Sequence, residues 1–267
     1  MRNIIVIGPK GKMGRLVVKS CYENKNINIV GALAPKEREY IGQDIGQVSN
    51  LGVHINEVVS DDLEKIIHKC DCIIDFTTPK VSMEVFEVAF KNKKSVVCGT
   101  TGFSQDEIKR IKEISKEIPI VLAANTSMVV NLMYNLVEIA SKAIGNMSDI
   151  EILEMHDKNK KDAPSGTSLE IGNILAESLN KKLNDIAVFG RHGEKEREEG
   201  TIGYHSLRAG DISSSHTVMF GLMGERLEIT HHAYNFQCFA NGASIASVYL
   251  KDKKPGVYSM KEVIGLK

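Results

Sequence analysis

The chain has 267 residues, 42% of them hydrophobic and 25% charged, enough to bury one large core or two modest ones. Its 34 basic and 34 acidic residues balance, which gives no support for a nucleic-acid or membrane-surface partner, and no apolar run approaches the ~20 residues of a membrane span. Five scattered cysteines lack zinc-finger or redox spacing, and Met1-Arg2-Asn3 leads straight into a strand-like run instead of a signal peptide, as expected of a cytoplasmic protein with reduced thiols.

Asn3-Ile-Ile-Val-Ile7 is a short β-branched run suited to a buried parallel strand, and Gly8-Pro9-Lys10-Gly11-Lys12-Met13-Gly14 follows at once. Met13, Leu16, Val17 and Cys21 then share one helix face. Strand, glycine turn and helix match the start of a dinucleotide-binding unit, where glycines let the backbone approach a pyrophosphate and helix amides favour its charge. The spacing is G-x-x-G-x-x-G, not the commoner G-x-G-x-x-G. Ile27 to Leu33 reads as the second strand. An NAD site often carries an acid near the end of this strand. Here the end reads Ala34-Pro35-Lys36-Glu37-Arg38, so Lys36 beside Arg38 tilts the reading towards NADPH over NADH, with Glu37 still able to reach a ribose.

Residues 40 to 60 form a longer connection with a short third strand and a turn, and Asp62 to Ile67 is helical in pattern. Cys72 to Phe76, Ser95 to Cys98 and Ile118 to Leu122 are further strands. Helices marked by Val81, Val85, Phe86 and Val88, and by Ile108, Ile111 and Ile114, separate them. Alternating strands and helices imply a parallel sheet, with ligands at the carboxyl ends of its strands. Those ends carry Gly8, Asp75-Phe76-Thr77-Thr78, Gly99-Thr100-Thr101 and Ala123-Ala124-Asn125.

After Asn125 the rhythm changes. Leu132 to Ile144 reads as a long buried helix. Strand-like runs follow around 202–207, 216–220 and 226–230 without intervening helices, and the charged run Glu194 to Glu199 reads as a solvated loop or lid. The fold expected is α/β: a Rossmann-type dinucleotide-binding domain, residues 1–127 and 238–267, and an α+β domain with a mixed, open sheet, residues 128–237. Asn241 to Tyr249 is a helix returning to the first domain. His231 and His232, adjacent on a strand, point to opposite faces and do not suggest a metal site. His216 reads as a hydrogen-bonded packing residue, and no metal is expected.

Chemistry concentrates between Glu154 and Thr167, after the apolar run that starts at Ile150 and before a helix with Ile171, Ile174 and Leu175 on one face. His156 can give or take a proton near neutral pH. Lys160, four residues on, can protonate a substrate or hold an anion. Thr167-Ser-Leu-Glu170 fits a capping box that would set the amides of Gly166 and Thr167 at a helix N-terminus, a place that attracts carboxylates and phosphates.

Taken together these motifs resemble one family: G-x-x-G-x-M-G, Asp75-Phe-Thr, Gly99-Thr-Thr-Gly-Phe103, Ala123-Ala-Asn, Glu154-x-His156, Lys160, Asp162-Ala-Pro-Ser-Gly-Thr167, Arg208-Ala-Gly-Asp211, Gly224-Glu-Arg-Leu-Glu-Ile-Thr-His231 and Phe239-Ala-Asn-Gly-Ala243. The chain is similar, nearly end to end, to the 4-hydroxy-tetrahydrodipicolinate reductase (dihydrodipicolinate reductase) family of diaminopimelate and lysine synthesis. The resemblance implies NADPH- or NADH-dependent hydride transfer to C4 of a dicarboxylate cyclic imine. It makes His156 the general acid/base and Lys160 the proton donor, and it puts Gly166 and Thr167 on a substrate carboxylate. It puts Gly8, Pro9, Lys10, Gly11, Lys12, Met13, Gly99, Thr100, Thr101, Ala123, Ala124, Asn125 and Thr126 on the cofactor, and implies a homotetramer built through the second domain. Two positions depart from the pattern. Asp157 stands where a second, substrate-binding histidine is usual, and Phe236 where an arginine is expected. They keep open a reductase of another cyclic imino acid, and a non-catalytic NAD(P)-binding paralogue is the reading from a different class.

Overall fold

The first strand, Arg2–Ile7 (β1), buries side chains on both faces: Ile4 and Val6 join one apolar layer, Ile5 and Ile7 the other. A strand covered on both sides has no solvent face to keep polar, so it reads as a continuous apolar run. In a computed structural model, which describes residues 1–266, this strand lies inside a seven-stranded parallel sheet.

The chain alternates along that sheet. Helix Lys12–Glu23 (α1), strand Ile27–Leu33 (β2), helix Ile45–Val48 (α2), strand Val59–Ser60 (β3) and helix Leu63–Ile66 (α3) come first. Strand Cys72–Asp75 (β4), helix Pro79–Lys91 (α4), strand Ser95–Cys98 (β5), helix Gln105–Ile114 (α5) and strand Pro119–Leu122 (β6) follow. The second half begins with helix Met128–Ile144 (α6), strand Asp149–His156 (β7), helix Gly166–Ser178 (α7), helix Leu183–Ile186 (α8) and strand Ala187–Phe189 (β8). Strands Ile202–Arg208 (β9), Ser214–Leu222 (β10) and Glu225–Ala233 (β11), helix Gln237–Tyr249 (α9), strand Gly256–Tyr258 (β12) and helix Met260–Val263 (α10) complete it.

The large sheet has the order β12-β6-β5-β4-β1-β2-β3. The strand order reverses between β1 and β4, and the crevice beyond their carboxyl ends is where such sheets bind dinucleotides. The edge strand β12 and the short helices α2 and α10 carry too few periodic residues to be seen in the sequence. The second sheet, β11-β10-β7-β9-β8, is mixed: β7, β9 and β8 run parallel, whereas β10 pairs antiparallel to both β7 and β11. The α/β class, with a Rossmann-like sheet and a mixed second sheet, is as expected. The chain divides into two compact units, Met1–Met128 with the segment from Phe236 onward, and Val129–Asn235.

One local expectation needs correction. Helix α6 is not buried all round: Met133, Val137 and Ala140 enter the core of the second sheet, but Val129, Leu132, Leu136 and Ile139 are exposed. A helix lying on one sheet face buries one stripe, and an apolar sequence all round does not say which. The charged run 194–199 is an exposed loop, as expected, with Arg197 as its anchored residue. The Arg197 guanidinium pairs with Asp149 at 2.7 Å and Glu151 at 3.2 Å and donates to the carbonyls of Ile150 and Thr201. Among the described residues no helix is long and apolar enough to cross a membrane.

Candidate active site

In the first unit the carboxyl ends of β1, β4, β5 and β6 carry Gly8, Phe76-Thr77, Gly99-Thr100 and Ala123-Ala124-Asn125. Gly8 turns with φ +69°, a left-handed conformation that glycine adopts without strain. Gly14 is fixed by space: a Cβ there would collide with the carbonyl of Gly8 and crowd Pro9, so the glycine turn folds tightly onto α1. Helix α1 starts from Gly11 with no side-chain cap and no acid in its first turn. Its first amides and positive dipole end therefore lack internal anionic partners, which is the condition for holding a pyrophosphate. By contrast α5 closes its own N-terminus with a full Ser104/Glu107 capping box.

Lysines surround this turn. Lys10 Nζ lies 4.7 Å from the centroid of the Tyr40 ring and Lys12 Nζ 3.5 Å from that of Phe236. Phe236 thus belongs to the glycine-turn region of the first unit, and its loss of charge relative to arginine bears on the dinucleotide edge. Lys36 and Arg38 are exposed beyond β2, on either side of Glu37, which has φ +64°. Below the edge, the buried Asp75 accepts from the Thr77 amide and hydroxyl and from the Ser82 hydroxyl, whose oxygen in turn accepts from Thr100 Oγ1 at 2.9 Å. Burial raises the Asp75 carboxyl above its ordinary range, partly offset by these bonds. The Thr126 hydroxyl donates to the carbonyl of Phe239 at 2.7 Å, and the whole residue is buried. The residues present fit a dinucleotide at this edge.

In the second unit the strand does not stop before the chemistry, as a loop reading of Glu154 to Thr167 implies. β7 runs through His156, and its period of two puts Ile150, Ile152, Glu154 and His156 on the buried face. Glu154 Oε2 meets His156 Nδ1 at 2.5 Å. A carboxylate only accepts, so Nδ1 carries the proton and Nε2 is left as the working nitrogen. Arg208, on the neighbouring β9, donates to both Glu154 oxygens, at 2.9 and 2.7 Å. Burial raises the Glu154 carboxyl, but bonds from Arg208, Ser206 and His156 outweigh it and hold the group below the ordinary range. Burial lowers the His156 imidazole; Glu154 opposes this, and the nearby Lys160 and Arg208 cations add to it, for a net fall below 6.5.

The ring of His216, on β10, stands edge-on to His156 with centroids 5.2 Å apart. Its Nε2 lies 3.0 Å from Ser165 Oγ, and that Oγ accepts from the Ser168 amide. Burial, with His156 next, pushes His216 down to about 3. Glu154, His156 and His216 offer ligand atoms within 4.8 Å of one another. The Arg208 guanidinium on the carboxylate of that set opposes a metal cation there.

The expected capping box does not form; a single serine cap stands two residues earlier. Helix α7 begins at Gly166 and its cap is Ser165, not Thr167, because Ser165 Oγ reaches the Ser168 amide at 3.1 Å. The consequence drawn from it survives, since Gly166 and Thr167 are the first two helical residues and their amides open the helix. The Thr167 side chain hydrogen-bonds Tyr134 of α6. Lys160 Nζ pairs with Asp162 at 2.9 Å. Asp157 Oδ1 accepts from the Asn159 amide at 2.8 Å, so its carboxylate closes the turn that carries Lys160. Adjacent His231 and His232 do face opposite ways, one buried and one exposed. Sequence reasoning gave no role to Glu154 or Arg208 and left His216 as packing. The first was recoverable from period-two alternation with His156; the other two come from strands 52 and 60 positions away, which periodicity cannot pair.

Comparisons with known proteins agree over the whole length. A sequence model described as dihydrodipicolinate reductase, N-terminus, matches residues 2–126, and one described as dihydrodipicolinate reductase, C-terminus, matches residues 129–264. A 4-hydroxy-tetrahydrodipicolinate reductase from Hahella chejuensis is 40% identical over 268 aligned positions, covering 100% of each chain. Dipicolinate-bound dihydrodipicolinate reductase from Paenisporosarcina sp. TG-14 has a TM-score of 0.78 at 27% identity, covering 98% of both chains. An amine dehydrogenase from Mycobacterium smegmatis shares the fold, with a TM-score of 0.69 at 13% identity, over 100% of this chain and 96% of the other. With both halves matched and a relative of this identity at full length, the chain belongs to the dihydrodipicolinate reductase family.

Proposed function

We propose that the protein reduces 4-hydroxy-tetrahydrodipicolinate to tetrahydrodipicolinate in diaminopimelate and lysine synthesis, using NAD(P)H. The observation that carries this reading is the buried Glu154–His156–Arg208 cluster with the Lys160–Asp162 pair in the turn that follows it. A bound nicotinamide supplies the hydride, delivered to C4 of the conjugated cyclic imine left by loss of water. The protein's own residues handle protons and charge. Lys160, as an ammonium, donates a proton as negative charge builds on the ring, and His156 acts as general acid/base through Nε2. The amides of Gly166 and Thr167 hold one substrate carboxylate at the start of α7.

The glycine turn from Gly8 to Met13 holds the pyrophosphate, and Gly99 to Thr101 with Ala123 to Thr126 line the rest of the cofactor edge. Lys36, with no acid at the tip of β2, favours the 2′-phosphate of NADPH. Asp157 turns Oδ1 onto the Asn159 amide of its own turn, which favours the lysine-pathway substrate over another imino acid. The second unit binds substrate and builds a homotetramer, which sedimentation would read directly as four chains.

The test is NAD(P)H oxidation followed spectrophotometrically, with substrate made in situ from pyruvate, aspartate semialdehyde and the upstream synthase. Oxidation that depends on all three, faster with NADPH, is expected. Cofactor binding without turnover would overturn the substrate assignment, and a preference for NADH would overturn the role of Lys36.

A further inference from the structure

Arg208 meets two parts of the acid–base site at once. Nη1 and Nη2 donate to the two oxygens of Glu154, and Nη2 also donates to the carbonyl of Asp162 at 2.6 Å, while Nη1 reaches the carbonyl of Leu207 at 2.7 Å. Glu154 is fully buried and Arg208 largely so. One planar guanidinium therefore fixes the acid that holds His156 and the backbone of the residue whose side chain holds Lys160. A lysine could not do this, because a point charge lacks the parallel fork that a carboxylate accepts. Buried ion pairs are weak grounds for stability and better grounds for geometry, since charges removed from water must be held in place to repay their desolvation.

We propose that Glu154 and Arg208 are the positioning pair of this site, fixing the Nδ1–H tautomer and orientation of His156 and tying the Lys160–Asp162 turn to the same strand. Neither residue touches substrate in this scheme. Glu154 orients the imidazole and favours its protonated form, as a carboxylate does for any histidine whose Nδ1–H it accepts. Arg208 keeps Glu154 ionised and registers the turn. The groups that act on His156 come from each side: Glu154 on its own strand, Arg208 from β9, His216 from β10 and Lys160 from the following turn. Removing Glu154's charge leaves burial and the two cations in force, so the imidazole titrates lower still.

The proposal rests on the reductase reading, so its test includes one readout that needs no turnover. The His156 imidazole is titrated by NMR in the wild-type protein and in Glu154→Gln, its signal assigned by its absence in His156→Gln. A downward move of the titration midpoint by one unit or more is expected, with kcat reduced at least tenfold at neutral pH and the His156 limb of the kcat profile displaced to lower pH. Arg208→Lys should lower kcat comparably, with KM for the cofactor within twofold of wild type in both variants. If a variant loses its folded NMR dispersion, the other decides. An unmoved His156 titration in Glu154→Gln would overturn the positioning role, and so would a fall in kcat without any displaced limb. A wild-type protein that shows the expected titration but reduces no imine would sink the reductase reading and leave the pair intact.

Discussion

Helices α1 and α7 begin in two different ways, and the contrast extends to the units that carry them. At α1 no side chain caps the first turn, lysines flank it, and the geometry is set by the backbone of Gly8 and Gly14. At α7 a serine caps the Ser168 amide and is itself tied to a buried histidine, so only the first amides remain for a ligand. The first unit presents a backbone surface suited to a large, charged, constant ligand. The second presents side chains whose protonation can change. A pyrophosphate needs close approach and a dipole; proton transfer needs a group held in one tautomer with a tuned pKa. Each unit has the residues its task requires.

Substitutions should separate the two regions, and the largest effect is expected in the second. Lys160→Met removes the proposed proton donor and should cut kcat by roughly 10²–10⁴-fold. Cofactor affinity measured by NAD(P)H fluorescence should stay within twofold; a matched loss of both would break the contrast.

Acid comes next. His216 titrates near 3 in the folded protein against an ordinary 6.5, so between these values the unfolded chain binds a proton that the folded one does not. Stability is then fully present above pH 6.5 and falls as pH drops towards 3, by up to about 5 kcal/mol at about 1.4 kcal/mol per unit. Denaturant midpoints of wild type and His216→Asn across that range would check it, the variant giving the flatter curve.

In the first unit Gly14→Ala places a methyl against the Gly8 carbonyl and should weaken NAD(P)H binding on the order of 10–100-fold, about 1.4–2.7 kcal/mol. Titration of cofactor fluorescence reads this directly, and an unchanged dissociation constant would mean that the turn does not hold the dinucleotide. The smallest effect is at Lys36. Exposed and outside any buried pair, Lys36→Glu should lower the NADPH/NADH ratio of kcat/KM by only about three- to tenfold, and less at high salt.

Much of the first unit was legible in the chain because its information is local. β1 and β4 to β6 are apolar runs ending in glycine or polar tips, and the crevice follows from their parallel order. The edge strand β12 was not legible: three residues after Pro255 carry no period, and only pairing with β6 makes them a strand. In the second unit His156, Lys160 and the start of α7 came from one continuous stretch. The parts that govern them did not. Arg208 is one of many charged residues in the sequence, and its register opposite His156 arises from the β7–β9 pairing. His216 likewise gains its neighbour only when β10 pairs with β7. The cap at Ser165 was misassigned because two overlapping serine and threonine positions both suit a helix start, and only the hydrogen bond decides.

Cofactor binding and proton transfer, as proposed, reside in different residues of different units. Measuring kcat and the NAD(P)H dissociation constant together for wild type and His156→Gln tests it most directly. In the variant kcat should fall about 100-fold or more with the dissociation constant unchanged within about twofold. Turnover equal to wild type, or a cofactor affinity that falls in step with turnover, would contradict it.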